Sequence, residues 1–351
     1  MTEWAWVLTP ILVLPIVLLF RFVGCAQIAG LEEPQQAEPA PAPTPAPTPA
    51  PDPTPAPPTP TPPTDTKPPN YRKYILGEQP NPGLVNTFPA VVPNGADVIA
   101  YWRLIDAPTN PKADDEKNFQ DGDYKAGHVL PLVAPTPTSP GSEGRNPATF
   151  VFGQGSLIDS DPGVQGRFFN GGYVLVGYKP GLYSEQFTIE AWVRVEVLAP
   201  NFEHTLFDAG GTYASPAGTP SVPRGFRIFA DATGHWQVRM GSPPVNLFAA
   251  PASVPLGART HLAVTVAGAL GGPATVSVYV DGKPVGSATG VKYDPPYDAP
   301  LFIGVENTAT NPTNTPTLRT PVLGRVQEVV LHRKALSLEE IANHVDINRT
   351  A

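Results

Sequence analysis

Apolar and polar positions along this chain fall into three regimes. Residues 4–20 (WAWVLTPILVLPIVLLF) form an uncharged apolar run, and residues 34–69 are a dense block of Pro interspersed with Ala and Thr. From residue 96 onward, short stretches of apolar/polar alternation are broken by Gly, Pro and Asn about every ten residues, the pattern of many short strands in an all-β sandwich.

Within that third region the alternation predicts individual strands. A first strand covers 98–105 (VIAYWRLI), and 167–176 (RFFNGGYVLV) is extended with a bulge or turn at Gly171-Gly172. Residues 187–197 (FTIEAWVRVEV) alternate most cleanly. Phe187, Ile189, Ala191, Val193, Val195 and Val197 share one face, with Thr188, Glu190, Trp192, Arg194 and Glu196 on the other. Further strands are expected at 205–209, 225–231, 235–240, 260–267, 274–280, 301–305 and 324–332. Ala232-Thr233-Gly234 reads as a three-residue hairpin loop and Asp281-Gly282 as a type I′ turn. The long Thr/Pro/Asn-rich stretches 131–155 and 307–321 read as loops on the sandwich rim.

One short helix closes the chain. Ser337-Leu338-Glu339-Glu340 has the form of a capping box, and Leu338, Ile341, Ala342 and Val345 share a face at helical spacing. This helix is expected to cover a sandwich edge or end, where unpaired strand groups invite association.

The first two regimes predict an anchor and a spacer. As a helix, residues 4–20 reach about 25 Å, somewhat short of a hydrocarbon core of about 30 Å; adding Phe22, Val23 and Gly24 allows a span with thinning. The run ends at Arg21 and leads into Phe22-Val23-Gly24-Cys25. Val23-Gly24-Cys25 resembles the lipobox of bacterial lipoproteins, which implies lipid attachment at Cys25 after signal cleavage. Phe22 in place of Leu, Arg21 within the run and the lack of a preceding Lys or Arg depart from it. Lipidated Cys25, an uncleaved membrane helix and a cleaved signal all remain open readings. The Pro block lacks backbone donors and has fixed φ, so a disordered polyproline II tether is expected. The boundaries are anchor 1–25, tether 26–84 and sandwich 85–351.

Composition sharpens two points. The net charge of −8 and the absence of a basic stripe argue against a nucleic-acid partner. The single cysteine, Cys25, leaves the folded region without disulfides or thiolate metal ligands.

Seven segments in register resemble the laminin-G-like, concanavalin A-like jelly roll of bacterial surface proteins. They begin with Ile99-Ala100-Tyr101-Trp102, Phe168-Phe169-Asn170-Gly171-Gly172-Tyr173 and Phe187-Thr188-Ile189-Glu190-Ala191-Trp192-Val193. They continue through His261-Leu262-Ala263-Val264-Thr265, Val278-Tyr279-Val280-Asp281-Gly282-Lys283-Pro284-Val285 and 324–332 to the closing 333–341 segment. The resemblance implies an antiparallel two-sheet jelly roll that binds glycan or protein, in some members with calcium on the rim. Calcium takes oxygen ligands, and the candidates by position at strand ends are Asp208, Glu306 and Asn307. The Asp114-Asp115-Glu116 run reads as a solvated loop before it reads as a metal site, and Trp102, Trp192 and Trp236 as core before a sugar-stacking platform.

Catalytic chemistry is not expected from these motifs. Retaining glycosidases need two carboxylates about 5 Å apart, whereas Glu190 and Glu196 lie about 20 Å apart along one strand. No G-x-S-x-G, H-E-x-x-H or phosphate loop occurs, and the six His are scattered, with His332 and His344 near the terminal helix. The expectation is a membrane-anchored, surface-displayed module for adhesion to glycan or surface protein, and not an enzyme. The alternatives are a structural envelope component and a glycoside hydrolase of the same fold.

Overall fold

In a computed structural model of the chain, the 187–197 alternation becomes the strand Phe187–Val195 at the centre of an eight-stranded antiparallel sheet. The structure describes residues 71–78, 95–127, 149–161, 163–198, 201–213, 222–240, 245–248, 253–269, 272–296, 298–309 and 316–349. The expected anchor with Cys25, and the tether as far as residue 70, lie outside the described residues.

The first sheet runs in the order Lys283–Lys292, Pro273–Val280, Thr260–Ala267, Phe187–Val195, Leu323–His332, Gly166–Asn170 and Thr149–Gln154. Leu323–His332 also pairs with Val98–Trp102, through its C-terminal half. A bulge between Gln327 and Val330, with Glu328 at φ 54°, divides that strand between its two partners. The second sheet runs Val245–Asn246, Trp236–Met240, Phe226–Ala230, His204–Asp208, Leu301–Ile303, Tyr173–Val176, Gly122–Lys125 and Lys112–Ala113. Of the bulge and the turn expected at Gly171-Gly172, the structure shows the turn. Gly171, at φ 81°, is where the chain leaves the first sheet and enters the second.

The two sheets bury one shared core. Phe187, Ile189, Ala191, Val193 and Val195 meet Leu206, Ile228, Val238 and Ile303 in it, as strand alternation requires. The Asp281-Gly282 hairpin has φ of 51° and 76°, both positive as a type I′ turn demands. The expected loop at 131–155 contains an edge strand, Thr149–Gln154, and within 307–321 a short ribbon pairs Glu306–Asn307 with Leu318–Arg319.

Two helices cover the outer face of the first sheet. The capping box forms as expected: the Ser337 amide donates to Glu340 Oε2 (2.8 Å) and the Glu340 amide to Ser337 Oγ (3.2 Å). The resulting helix, α2 (Leu338–Arg349), lies on the sheet face rather than at an edge or end. Its buried side is Ile341, His344, Val345, Ile347 and Asn348, whereas Leu338 is 48% exposed. The expected face misses Leu338 because the helix turns toward the sheet only after its capped first turn.

The tether boundary at 84 also shifts. Tyr71–Ile75 is a helix, α1, and buries Tyr71, Tyr74 and Ile75 against Tyr101, Trp192, Val330 and Val345. Tyr71 meets Trp192 edge-on with ring centroids 6.4 Å apart, and Arg72 pairs with Glu116 at 2.8 Å. A short aromatic motif after the Pro block was enough to extend the domain upstream, because the sheet already offered Trp192 as a docking site.

Candidate functional site

Three strands of the second sheet place charged side chains in one cross-strand row. Arg239 pairs with Arg227, and Arg227 pairs with Asp208, so the three stand side by side at the same level. Alternation turns Phe226, Ile228 and Val238 inward to the core and leaves the arginines on the opposite face. Both guanidinium groups lie over the ring of Phe229, at 4.2 Å for Arg227 and 5.0 Å for Arg239.

Acidic groups then lock the row. Arg227 Nη1 contacts Glu203 at 2.6 Å and Glu306 at 3.0 Å, and Arg239 Nη2 reaches the other oxygen of Glu203 at 3.1 Å. Arg227 also donates to the hydroxyls of Thr205 (2.9 Å) and Thr320 (3.0 Å), and Thr320 donates to Glu306 (3.1 Å). With its side chain 5% exposed, Arg227 is a fixed strut, whereas Arg239, at 32%, still faces solvent.

Asp208, Glu306 and Asn307, expected from their strand-end positions, are brought together beside this row. They line a cleft of about 280 Å³ with Arg224, Arg227 and Arg239. Asp208 Oδ1 accepts the Gly210 amide (2.9 Å) and Oδ2 the Asn307 amide (2.7 Å). Burial pushes its carboxyl up to about 7 despite these two bonds. Asn307 Oδ1 accepts the amides of Ala309 (3.1 Å) and Thr317 (3.0 Å), which holds both sides of its loop. Gly225 is required here: at φ 85°, an added Cβ would stand 2.0 Å from the Ala209 carbonyl.

Calcium does not fit this cleft. The ion takes six or more oxygens in a negative cage, whereas both Asp208 oxygens are held by amides and Glu306 is paired with Arg227. Guanidinium groups on the lining oppose a divalent cation. To a hydroxyl-bearing ligand the lining offers the partly exposed guanidinium of Arg239 as donor and the partly exposed carboxylate of Glu306 as acceptor.

Other singled-out residues have structural roles. Asp115 is buried, and its carboxylate accepts four amides: Tyr101, Lys117, Phe119 and Gln120. Asp114 accepts a bond from Asn110, and Glu116 pairs with Arg72. Trp102 and Trp236 sit in the inter-sheet core and Trp192 lies under α1, so none offers a stacking surface. Glu196 pairs with Arg194 and Arg325 at the surface. Glu190 instead lies on the buried outer face of the first sheet among His261, His332 and His344. Burial opposes its ionisation, but the charge of His344 and the close approach of the three imidazoles hold it well below the usual carboxylate range.

Sequence reasoning missed Arg227, Arg239 and Glu203. The usable signal was an Arg at the outward position of each of two consecutive strands, in FRIFA and WQVRM, joined by a tight hairpin.

Comparisons with known proteins place this geometry in context. Residues 168–342 match the model of the concanavalin A-like lectin/glucanases superfamily, of laminin-G type. No curated protein matches the chain. Among solved structures, a Trypanosoma rangeli sialidase in complex with 2,3-difluoro-KDN is 18% identical, with a TM-score of 0.47 over 78% of this chain and 37% of that one. Domain 4 of AbnA, a GH43 extracellular arabinanase from Geobacillus stearothermophilus in complex with arabinotriose, is 18% identical, with a TM-score of 0.45 over 71% of this chain and 98% of that one. The chain spans about a third of the length of the sialidases, 34% in one complex. The expectation that the chain is not an enzyme is corrected by the family match, whose description covers glucanases as well as lectins. The separation of Glu190 and Glu196 along one strand was too narrow a criterion, because it tests only carboxylates that share a strand.

Proposed function

We propose, from the premise that residues 168–342 belong to the concanavalin A-like lectin/glucanases superfamily, that the sandwich recognises carbohydrate in the cleft beside the arginine row. The observation that carries this reading is the convergence of Asp208, Glu306 and Asn307 with Arg227 and Arg239 around one opening. Arg239 presents the exposed donor, and Thr308 and Ala309 line the same opening. The glycan stands as either a free polysaccharide or the decoration of a surface protein, which makes the module an adhesion head.

The N-terminal apolar run, Cys25 and the proline block support display of this head outside a membrane. Intact-mass measurement of the membrane-extracted protein tests that arrangement: a diacyl or triacyl adduct on an N-terminal Cys25 is the expected result, and an unlipidated mass starting at Met1 rejects lipidation.

Binding is tested by titrating the full-length chain with neutral and acidic oligosaccharides. Arg239→Ala is expected to weaken the best ligand by about tenfold, about 1.4 kcal/mol, with an unchanged unfolding midpoint. Full affinity in that variant rejects the cleft. Released reducing sugar is scored on the same samples, since the superfamily spans both binding and hydrolysis.

A further inference from the structure

On the other side of the sandwich, four side chains from three strands and a helix converge in a place closed to solvent. Glu190 pairs across the strands with Ala263 on one side and Val330 on the other. His261 and His332 lie two residues beyond those partners, so the pleat turns all three to the same face as diagonal neighbours. His344 comes down on them from α2. Their exposures are 0% for Glu190 and His261, 2% for His332 and 1% for His344.

The donor atoms meet around the Glu190 carboxylate. His332 Nε2 lies 3.0 Å from Oε1, His344 Nδ1 2.8 Å from Oε1 and 3.0 Å from Oε2, and His261 Nε2 3.2 Å from Oε2. One atom each from Glu190, His332 and His344 all lie within 4.8 Å of one another. His261 is the anomaly. Neither of its ring nitrogens has a hydrogen-bond partner, although the residue is fully buried and Nε2 is aimed at the carboxylate. A buried polar group left in that state is costly and calls for a partner.

We propose that Glu190, His261, His332 and His344 form a closed structural site for a divalent transition metal ion of the zinc class. Three imidazole nitrogens and one carboxylate oxygen complete a tetrahedron, and bond lengths of about 2.0–2.1 Å set its ligands roughly 3.3–3.4 Å apart. The nitrogen–oxygen separations are 2.8 and 3.0 Å to Oε1 for His344 and His332 and 3.2 Å to Oε2 for His261, so His261 moves toward the shared oxygen as the metal enters. Imidazole ligands select transition metals over calcium or magnesium, which take oxygen. Each imidazole binds through a deprotonated nitrogen, so its N–H proton moves to the other ring nitrogen or leaves to solvent as the metal enters. All four ligands come from the protein, so no position remains for substrate, and the site ties α2 to the sheet. The ion enters before α2 docks, because the finished site is sealed.

The test uses the full-length chain, unfolded with chelator and refolded with Zn²⁺ alone, then freed of excess metal by gel filtration. Elemental analysis is expected to return about one zinc per chain, and Co²⁺ in its place to give the visible bands of a nitrogen-rich tetrahedral ion. His261→Gln and His344→Gln are each expected to lower metal affinity at least tenfold, and chelator to lower the melting temperature of the wild type only. A wild type that regains its native circular dichroism yet retains no zinc overturns the proposal, as does uptake that both variants leave unchanged. Should either variant fail to fold, the cobalt spectrum of the wild type decides: an octahedral signature overturns the site and a tetrahedral one supports it.

Discussion

The outer faces of the two sheets are built from similar material, charged and imidazole side chains at outward strand positions, and they reach opposite outcomes. On the first sheet, Glu190, His261 and His332 are sealed beneath α1 and α2. On the second, Asp208, Arg227, Arg239 and Glu306 line an opening that keeps Arg239 in contact with solvent. The difference lies in what each face has to cover it. The chain ends of the domain carry aromatic and aliphatic residues that dock on Trp192 and Val330, whereas among the described residues the cleft is bordered by two short two-stranded ribbons. A covered face spends its polar groups on holding the fold, and an open one can spend them on a ligand.

The largest break in this comparison comes from Glu190→Ala. His332 and His344 would lose their shared acceptor, and His261 the carboxylate it faces, in a dry site; removing one partner of such a buried set costs about 3–5 kcal/mol. Urea denaturation of the full-length chain measures it; a loss below about 1 kcal/mol would mean that this face behaves like an exposed one.

Asp208 gives the open face a pH signature of similar size. Its folded carboxyl titrates at about 7 against an ordinary value of 3.8, so between those limits the folded state binds more protons than the unfolded state. Stability from the protonated form is therefore complete below the unfolded value and is lost as pH rises through about 7. The swing is on the order of 4 kcal/mol. Asp208→Asn is expected to flatten it, read as the wild-type-minus-variant difference in unfolding free energy from pH 4 to 8.

Ile75→Ala tests the upstream cover. Ile75, in α1, is fully buried against the sheet, and truncating such a side chain costs about 3 kcal/mol. A chain whose stability is unchanged would return α1 to the tether. Arg239→Ala sits on the other side of the comparison, with a stability change within about 0.5 kcal/mol and a loss of oligosaccharide affinity of about tenfold.

What the sequence disclosed follows the range of the forces involved. The capping box, the Asp281-Gly282 turn and the Phe187–Val195 alternation are local, and each appears where neighbouring residues dictate it. Asp208, Glu306 and Asn307 were legible as strand-end oxygens, but their shared cleft depends on sheet order. The Glu190 cluster was hidden because its partners lie 142 and 154 residues away for His332 and His344. No periodicity records which strands become neighbours, so scattered His residues looked unrelated. The arginine row was passed over for a related reason: an outward Arg on a single strand is ordinary, and only the register of two strands makes it a pair.

The smallest effect separates a helix that is stable by itself from one held by what it covers. Ser337→Ala removes the side-chain acceptor for the Glu340 amide, while Glu340 retains its 2.7 Å contact with Lys334. Loss of such a cap costs about 1 kcal/mol. If the sealed face holds α2 in place, that loss appears in global unfolding, because the helix cannot open without exposing His344 and Ile341. Hydrogen exchange of the α2 amides reads the distinction. Exchange that accelerates no more than that of Thr260–Ala267 supports docking as the source of helix order. Faster exchange confined to α2 would show that the helix frays independently, and the covered face would then be held by Glu190 and the strands alone.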